Sequence, residues 1–324
     1  MKLKLFSTSY LTHKLWDLWC LLSVIGIWPR FIEPNLICLT KLPIAIPNLP
    51  LTLNGLRVLQ FSDLHLNDQI SDAFLERLSD RIQKLAPDLI LFTGDFICYS
   101  SLEEPMRLQN FLCTLSAPYG CYAILGNHDY DQYVSINENG EYDIIDDDSS
   151  TISKGLLRLF ESTSIKKTVT PRALKIGLKQ DLLSLLKKTP FKLLHNESTL
   201  VPIKDTFLNI CGLGEHMLGR FLPQQAFENY KKEYPGIILA HNPDGIPHLK
   251  GYPGELVLCG HTHGAQINLP WISEKCTLLE NKELKRGLFQ IDHKSVYVNR
   301  GVGSTIPFRW FSPPELLLLT LHTK

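Results

Sequence analysis

The chain has no excess of either charge: 33 Lys and Arg residues stand against 33 Asp and Glu. No global basic field therefore points to nucleic acid. It also lacks any Cys-x-x-Cys pair among its eight cysteines, and at 324 residues it is too large to need a disulfide scaffold. The thiols are expected to be reduced and mostly buried, as in a cytosolic compartment. No internal repeat or low-complexity tract is present. Long apolar runs are scarce. The first thirty residues carry Lys2, Lys4, Lys14 and Arg30 against Asp17 alone, and their longest uncharged apolar stretch, Leu18 to Trp28, has 11 residues. A helix that crosses a bilayer needs about 20. The run has the length of a secretory signal core, but "WPRFIEP" follows it in place of a small-residue cleavage site. Trp16, Trp19 and Trp28 stud or flank it, which suits a headgroup interface. Residues 1–36 are therefore expected to form an amphipathic segment that associates with a membrane, with an ordinary packing helix as the alternative.

The remainder, with 44% apolar and 20% charged residues overall, has ordinary globular composition. Short apolar runs alternate with helical spacing. Strands are predicted at 57–61, 89–93, 121–125, 206–213, 236–240 and 255–259, and helices at 71–86 and 102–115. This β-α-β-α order, with continuously apolar strands, implies a largely parallel sheet covered on both faces. The stretch 131–177 interrupts it with an acidic block, "NENGEYDIIDDDSS", followed by a basic one, "KKTVTPRALK". Such a segment is either solvated or a lid beside an active site.

The chemistry lies at the strand ends. After successive strands come Ser62-Asp63-Leu64-His65, Gly94-Asp95, Gly126-Asn127-His128-Asp129, His241-Asn242 and Gly260-His261-Thr262-His263. The carboxyl ends of parallel strands share one edge, where ligands bind, so residues 200 positions apart can converge. Carboxylate, amide oxygen and imidazole suit two hard or borderline divalent cations without thiolate. Two such ions about 3.5–4 Å apart need a shared carboxylate between them, and Asp95, on the strand expected at the centre, is the choice.

Asp63-x-His65, Gly94-Asp95, Gly126-Asn127-His128-Asp129, His241 and Gly260-His261-x-His263 together resemble the calcineurin-like metallophosphoesterases over roughly residues 37–324. The resemblance implies an α/β sandwich of two packed mixed β-sheets flanked by helices. It implies that Asp63, His65, Asp95 and His263 hold one metal, and that Asp95, Asn127, His241 and His261 hold the other. It places His128 against the scissile phosphate, with Asp129 beside it to orient it, as the catalytic pair. Manganese is the expected metal, with Mg2+, Fe and Zn2+ compatible with the same donors. The "NGLRVLQFSDLHL", "GLGEHMLGRF" and "YVNRGVGSTIPFRWFSPPELLLLTL" blocks resemble the membrane-associated YaeI/YkuE-like branch and, within it, the LpxG-type UDP-2,3-diacylglucosamine pyrophosphatases of lipid A synthesis. The implied substrate is a UDP-linked diacylated glucosamine lipid, met at the cytoplasmic face of the inner membrane, with no protein partner. Arg220, Arg300 and Arg309 are candidates for its diphosphate or uridine end. The alternatives are a broad phosphodiesterase acting on small soluble esters, and a non-catalytic scaffold, which is expected to have lost ligands.

Overall fold

The computed structural model describes residues 8–145 and 165–324. An N-terminal helix, α1 (Thr8–Leu22), continues in π-helical winding through Ser23–Ile32 and ends in a 3-10 turn at Glu33–Asn35. The stretch Lys14–Asn35 spans 22 residues and is long and apolar enough to cross a membrane. The unbroken apolar run ended at Trp28, but the helix does not. It winds on past Pro29 and Arg30 with almost all of its surface exposed.

Fourteen strands follow among the described residues. They are β1 (Cys38–Ile46), β2 (Arg57–Phe61), β3 (Leu89–Thr93), β4 (Cys121–Ile124), β5 (Val134–Ile136), β6 (Tyr142–Ile144) and β7 (Phe191–Leu193). Then come β8 (Glu197–Ile203), β9 (Thr206–Gly212), β10 (Gly236–Leu239), β11 (Leu256–Cys259), β12 (Gly287–Ile291), β13 (Lys294–Val298) and β14 (Glu315–Thr323). They form two mixed six-stranded sheets, β1-β14-β2-β3-β4-β7 and β12-β13-β11-β10-β9-β8, with β5 and β6 as a separate hairpin. The single doubly covered sheet expected from β-α alternation is thus two sheets, face to face, as the family resemblance implied.

Period-two alternation explains why the strands read as continuously apolar. In β3, Leu89 and Leu91 join Ile237 and Leu239 of β10 and Leu256 and Leu258 of β11 in the layer between the sheets. Ile90 and Phe92 instead pack outward. There they meet Phe74, Leu78 and Ile82 of α2 (Asp72–Lys84) and Leu108 and Leu112 of α3 (Pro105–Cys113). Ser71 caps α2, its hydroxyl accepting the Phe74 N–H at 3.2 Å. On the far side, Ile238 and Val257 face Tyr230, Ala226 and Leu284.

The acidic and basic stretch is partly a built structure. Val134, Ile136, Tyr142, Ile144, Ala173 and Ile176 are buried in the same core as α2 and α3. Asp143 accepts from Arg172 Nε at 2.6 Å and from Thr170 at 2.5 Å. Its middle, residues 146–164, lies outside the described residues.

Candidate metal centre

Asp63 and His65 follow β2, Asp95 follows β3, and Asn127, His128 and Asp129 follow β4, all in the first sheet. His241 follows β10, and His261 and His263 follow β11, in the second. The carboxyl ends of both sheets meet at one edge. Buried Gln60 ties the sheets beneath it, donating to Thr93 Oγ1 at 2.7 Å and to the Cys259 carbonyl at 3.2 Å. The loops are strapped together as well. Asp63 N donates to the Gly94 carbonyl at 2.9 Å, His65 N to the Asp95 carbonyl at 3.0 Å, and His261 N to the Asp63 carboxylate at 2.9 Å. Five of the seven ligand-type residues, Asp63, His65, Asp95, His261 and His263, hold φ between 45° and 72°. A non-glycine residue pays for that conformation, and such outliers collect at functional sites. Gly94 (φ 94°) leaves no room for a side chain either: a Cβ there meets Gly126 N at 2.6 Å and His241 Nδ1 at 2.7 Å.

Two clusters result, Asp63-His65-His263 and Asp95-His241-His261. Asp95 Oδ2 lies 3.4 Å from His65 Nε2 and 3.2 Å from His241 Nε2, so this one carboxylate faces both. His65 and His263 bring their Nε2 atoms to 3.0 Å. His261 Nδ1 sits 3.0 Å from Asn127 Oδ1 and 3.3 Å from His241 Nε2. The supporting shell fixes these orientations. His241 Nδ1–H donates to the Thr93 carbonyl at 2.6 Å, which turns Nε2 inward toward Asp95. Asn127 Nδ2 donates to the Val134 carbonyl of β5 at 3.0 Å, which leaves its oxygen facing His261.

The electrostatics agree with a cation site. Burial pushes His65 down to about 4 and His261 down to about 3, and it lowers His263 and His128 too. These rings are neutral, with lone pairs available, at neutral pH. Burial opposes charge on Asp95 and His241 alike. Even so, neighbouring imidazoles hold the Asp95 carboxyl well below its usual range, and the Asp95 carboxylate holds His241 well above its own. Buried acceptor atoms crowded around two points, with few donors among them, fit two divalent cations.

His128 is half of the expected catalytic pair. Its backbone N–H donates to Asp95 Oδ1 at 3.0 Å, and its ring lies 4.5 Å, edge-on, from that of His65. Its Nδ1 accepts the Tyr99 N–H at 2.9 Å, so in the neutral ring the proton sits on Nε2. The expectation that Asp129 orients this ring is corrected. The Asp129 carboxylate accepts the N–H groups of Asp95, Phe96, Ile97 and Gly126 at 2.7–3.1 Å and holds the Asp95 loop. Burial pushes its carboxyl up to about 8, with the Asp95 charge adding to the rise.

Two of the three arginines also need correction. Arg309 is fully buried and does not present itself to a substrate. It donates to the carbonyls of Arg300, Ser312, Gly301 and Gly303, and its Nη2 lies 3.3 Å from His263 Nδ1. Arg220 Nη2 donates to the Leu174 and Ile176 carbonyls at 3.0 Å, which pins the 173–176 turn. Arg300 pairs with Glu315 at 3.2 Å, beside Gly264. Replacing Arg309 with Leu strands its buried carbonyl partners, so Arg309→Leu is expected to destabilise the protein by about 3 kcal/mol. Urea unfolding in the presence of a chelator checks this, and a change below about 0.5 kcal/mol contradicts the assignment.

The sequence reading missed three contributors. Tyr133 and Tyr99 flank the His128 ring at 4.3 and 5.3 Å. Their partner contacts are backbone and ring geometry, which no motif encodes. Glu215 is wholly buried, with Oε1 accepting the Met217 N–H and no hydrogen bond to Oε2. Burial pushes it up to about 7. A raised carboxyl pKa gives stability that is complete below the unfolded value near 4.5 and lost as pH rises toward 7. Glu215→Gln is therefore expected to stabilise the metal-free protein at pH 8 by up to about 3 kcal/mol and to be neutral near pH 4.5. Equal effects at both pH values contradict this.

A buried carboxylate shared by two imidazole-rich clusters, with an oriented neutral histidine alongside, defines a metal-dependent hydrolase with a dinuclear centre. The comparisons agree: residues 56–265 match the calcineurin-like phosphoesterase model, and the chain belongs to that family. It is 45% identical over 308 residues to UDP-2,3-diacylglucosamine pyrophosphatase LpxG of Chlamydia muridarum, covering 90% of this chain and 92% of the relative. It is 44% identical to the protein of the same name from Chlamydia trachomatis serovar D, with the same coverage of both chains. It is 28% identical to the metallophosphoesterase YkuE of Bacillus subtilis, covering 91% of this chain and 89% of that one.

Proposed function

We propose that this protein hydrolyses the diphosphate of UDP-2,3-diacylglucosamine to UMP and 2,3-diacylglucosamine 1-phosphate (lipid X) in lipid A synthesis. The chemistry rests on one observation, the placement of Asp95 Oδ2 between His65 and His241. The substrate follows from the two LpxG relatives, whose similarity runs along nine-tenths of the chain.

Two divalent cations, proposed to be manganese, supply Lewis-acid activation of water and offset charge on phosphoryl oxygens. Asp63, His65 and His263 would hold one, and Asn127, His241 and His261 the other, with Asp95 facing both. The chain's own part is positioning and proton handling. His128 presents Nε2–H, held by the Tyr99 N–H behind it, to the oxygen that leaves phosphorus. Asp129 keeps the Asp95 loop in register. Arg300 is the remaining arginine proposed to face the diphosphate. Residues 1–36 anchor the enzyme at the cytoplasmic face of the inner membrane, where a diacylated substrate resides.

The test is turnover of UDP-2,3-diacylglucosamine beside that of a nitrophenyl phosphodiester at equal concentration. The lipid nucleotide is expected to be cleaved faster, releasing UMP. Faster diester cleavage reassigns the enzyme to small soluble esters.

A further inference from the structure

An apolar trough of about 460 Å³ lies along the N-terminal helix, outside the metal centre. Trp19, Leu22, Gly26, Ile27 and Phe31 of the helix line it together with Phe308 and Arg30. Resting on the function proposed above, we infer that this trough receives an acyl chain of the substrate while the diphosphate sits at the metals.

Continuity with the reaction site argues for that occupant. Phe308 directly precedes Arg309, whose guanidinium touches His263. The Pro29 carbonyl of the helix accepts the Arg309 N–H at 2.8 Å. Glu33, buried at the helix end, accepts the Ser312 N–H at 2.6 Å and the Trp28 indole N–H at 2.8 Å. Ser312 Oγ in turn donates to the His263 carbonyl at 2.7 Å. One hydrogen-bonded unit therefore joins the trough wall to the metal-ligand loop. A substrate with a charged head and acyl tails can bridge the two without leaving this unit. The volume lies within the range of small-molecule sites, about 300–1,000 Å³.

Gly26 gives the trough its opening. Glycine weakens a helix relative to any ordinary residue, yet here a Cβ meets nothing within 4 Å. The position tolerates a side chain, and its absence leaves the space that a chain would fill.

The experiment uses the full-length protein in mixed micelles and a series of UDP-diacylglucosamines of decreasing chain length, ending with the deacylated UDP-sugar. Each buried methylene changes affinity about fourfold. Gly26→Leu is expected to lower the ratio of kcat/KM for the longest chains over the deacylated compound by about tenfold or more, with the loss shrinking as the chains shorten. Gly26→Ala, which adds one methyl and helix propensity, is expected to fall between wild type and Leu. An unchanged ratio overturns the inference. So does an equal loss at every chain length accompanied by weaker vesicle binding, which assigns the trough to bulk lipid. A wild-type enzyme that does not prefer the acylated substrate removes the underlying function and this inference together. A wild type that prefers it, with Gly26→Leu insensitive to chain length, removes this inference alone.

Discussion

Asp95→Asn is expected to lower kcat by at least about 10³-fold and to reduce bound divalent metal from two equivalents per chain. Of the carboxylates at the centre, Asp95 reaches both clusters, at 3.4 Å from His65 and 3.2 Å from His241. Asparagine preserves its shape, and an amide oxygen can still accept the His128 N–H that Oδ1 now takes at 3.0 Å. The substitution thus removes charge without removing the loop. With the carboxylate gone, the largest influence that raises His241 is lost, which shifts the balance toward its neutral form. The variant is expected to fold. Metal titration by calorimetry beside activity separates the effects: near-normal stoichiometry and turnover would remove Asp95 from the bridging role.

His128→Ala should behave differently. His128 approaches the clusters edge-on through His65, but its Nδ1 is occupied by the Tyr99 N–H, so Nε2 handles the proton. General acid catalysis contributes about 10²–10⁴-fold. The variant is expected to lose that much in kcat, with two metals still bound and KM little changed. A parallel loss of metal would make His128 a ligand or a structural support instead. Intact turnover would retire it from the reaction.

These two residues were legible in the sequence because each ends an apolar strand with a polar tip, and a strand's carboxyl end is fixed by the strand itself. The same logic placed Asp63, His65, Asn127, His241, His261 and His263. Roles that depend on backbone partners were not legible. Asp129 holds three N–H groups of the Asp95 loop and that of Gly126, and Arg309 holds carbonyls within its own loop and touches His263. Neither partnership leaves a residue-type signature, so Asp129 read as a helper of His128 and Arg309 as a substrate contact. Six of the eight strands interior to the two sheets were equally clear, whereas β13, β14 and the edge strand β1 were not. β1 carries Lys41 and Pro43, which an edge strand accepts and a central one does not. The division into two sheets was also hidden from periodicity. β7 closes one sheet at Leu193, and β8 opens the other at Glu197, with no change of composition to mark the switch.

The most direct measurement is anomalous diffraction from crystals of the full-length protein grown with Mn2+. Two peaks are expected about 3.5–4 Å apart, one among Asp63, His65 and His263, the other among Asn127, His241 and His261, with Asp95 between them. A lone peak, or peaks away from Asp95, would contradict the dinuclear centre on which the proposed hydrolysis depends.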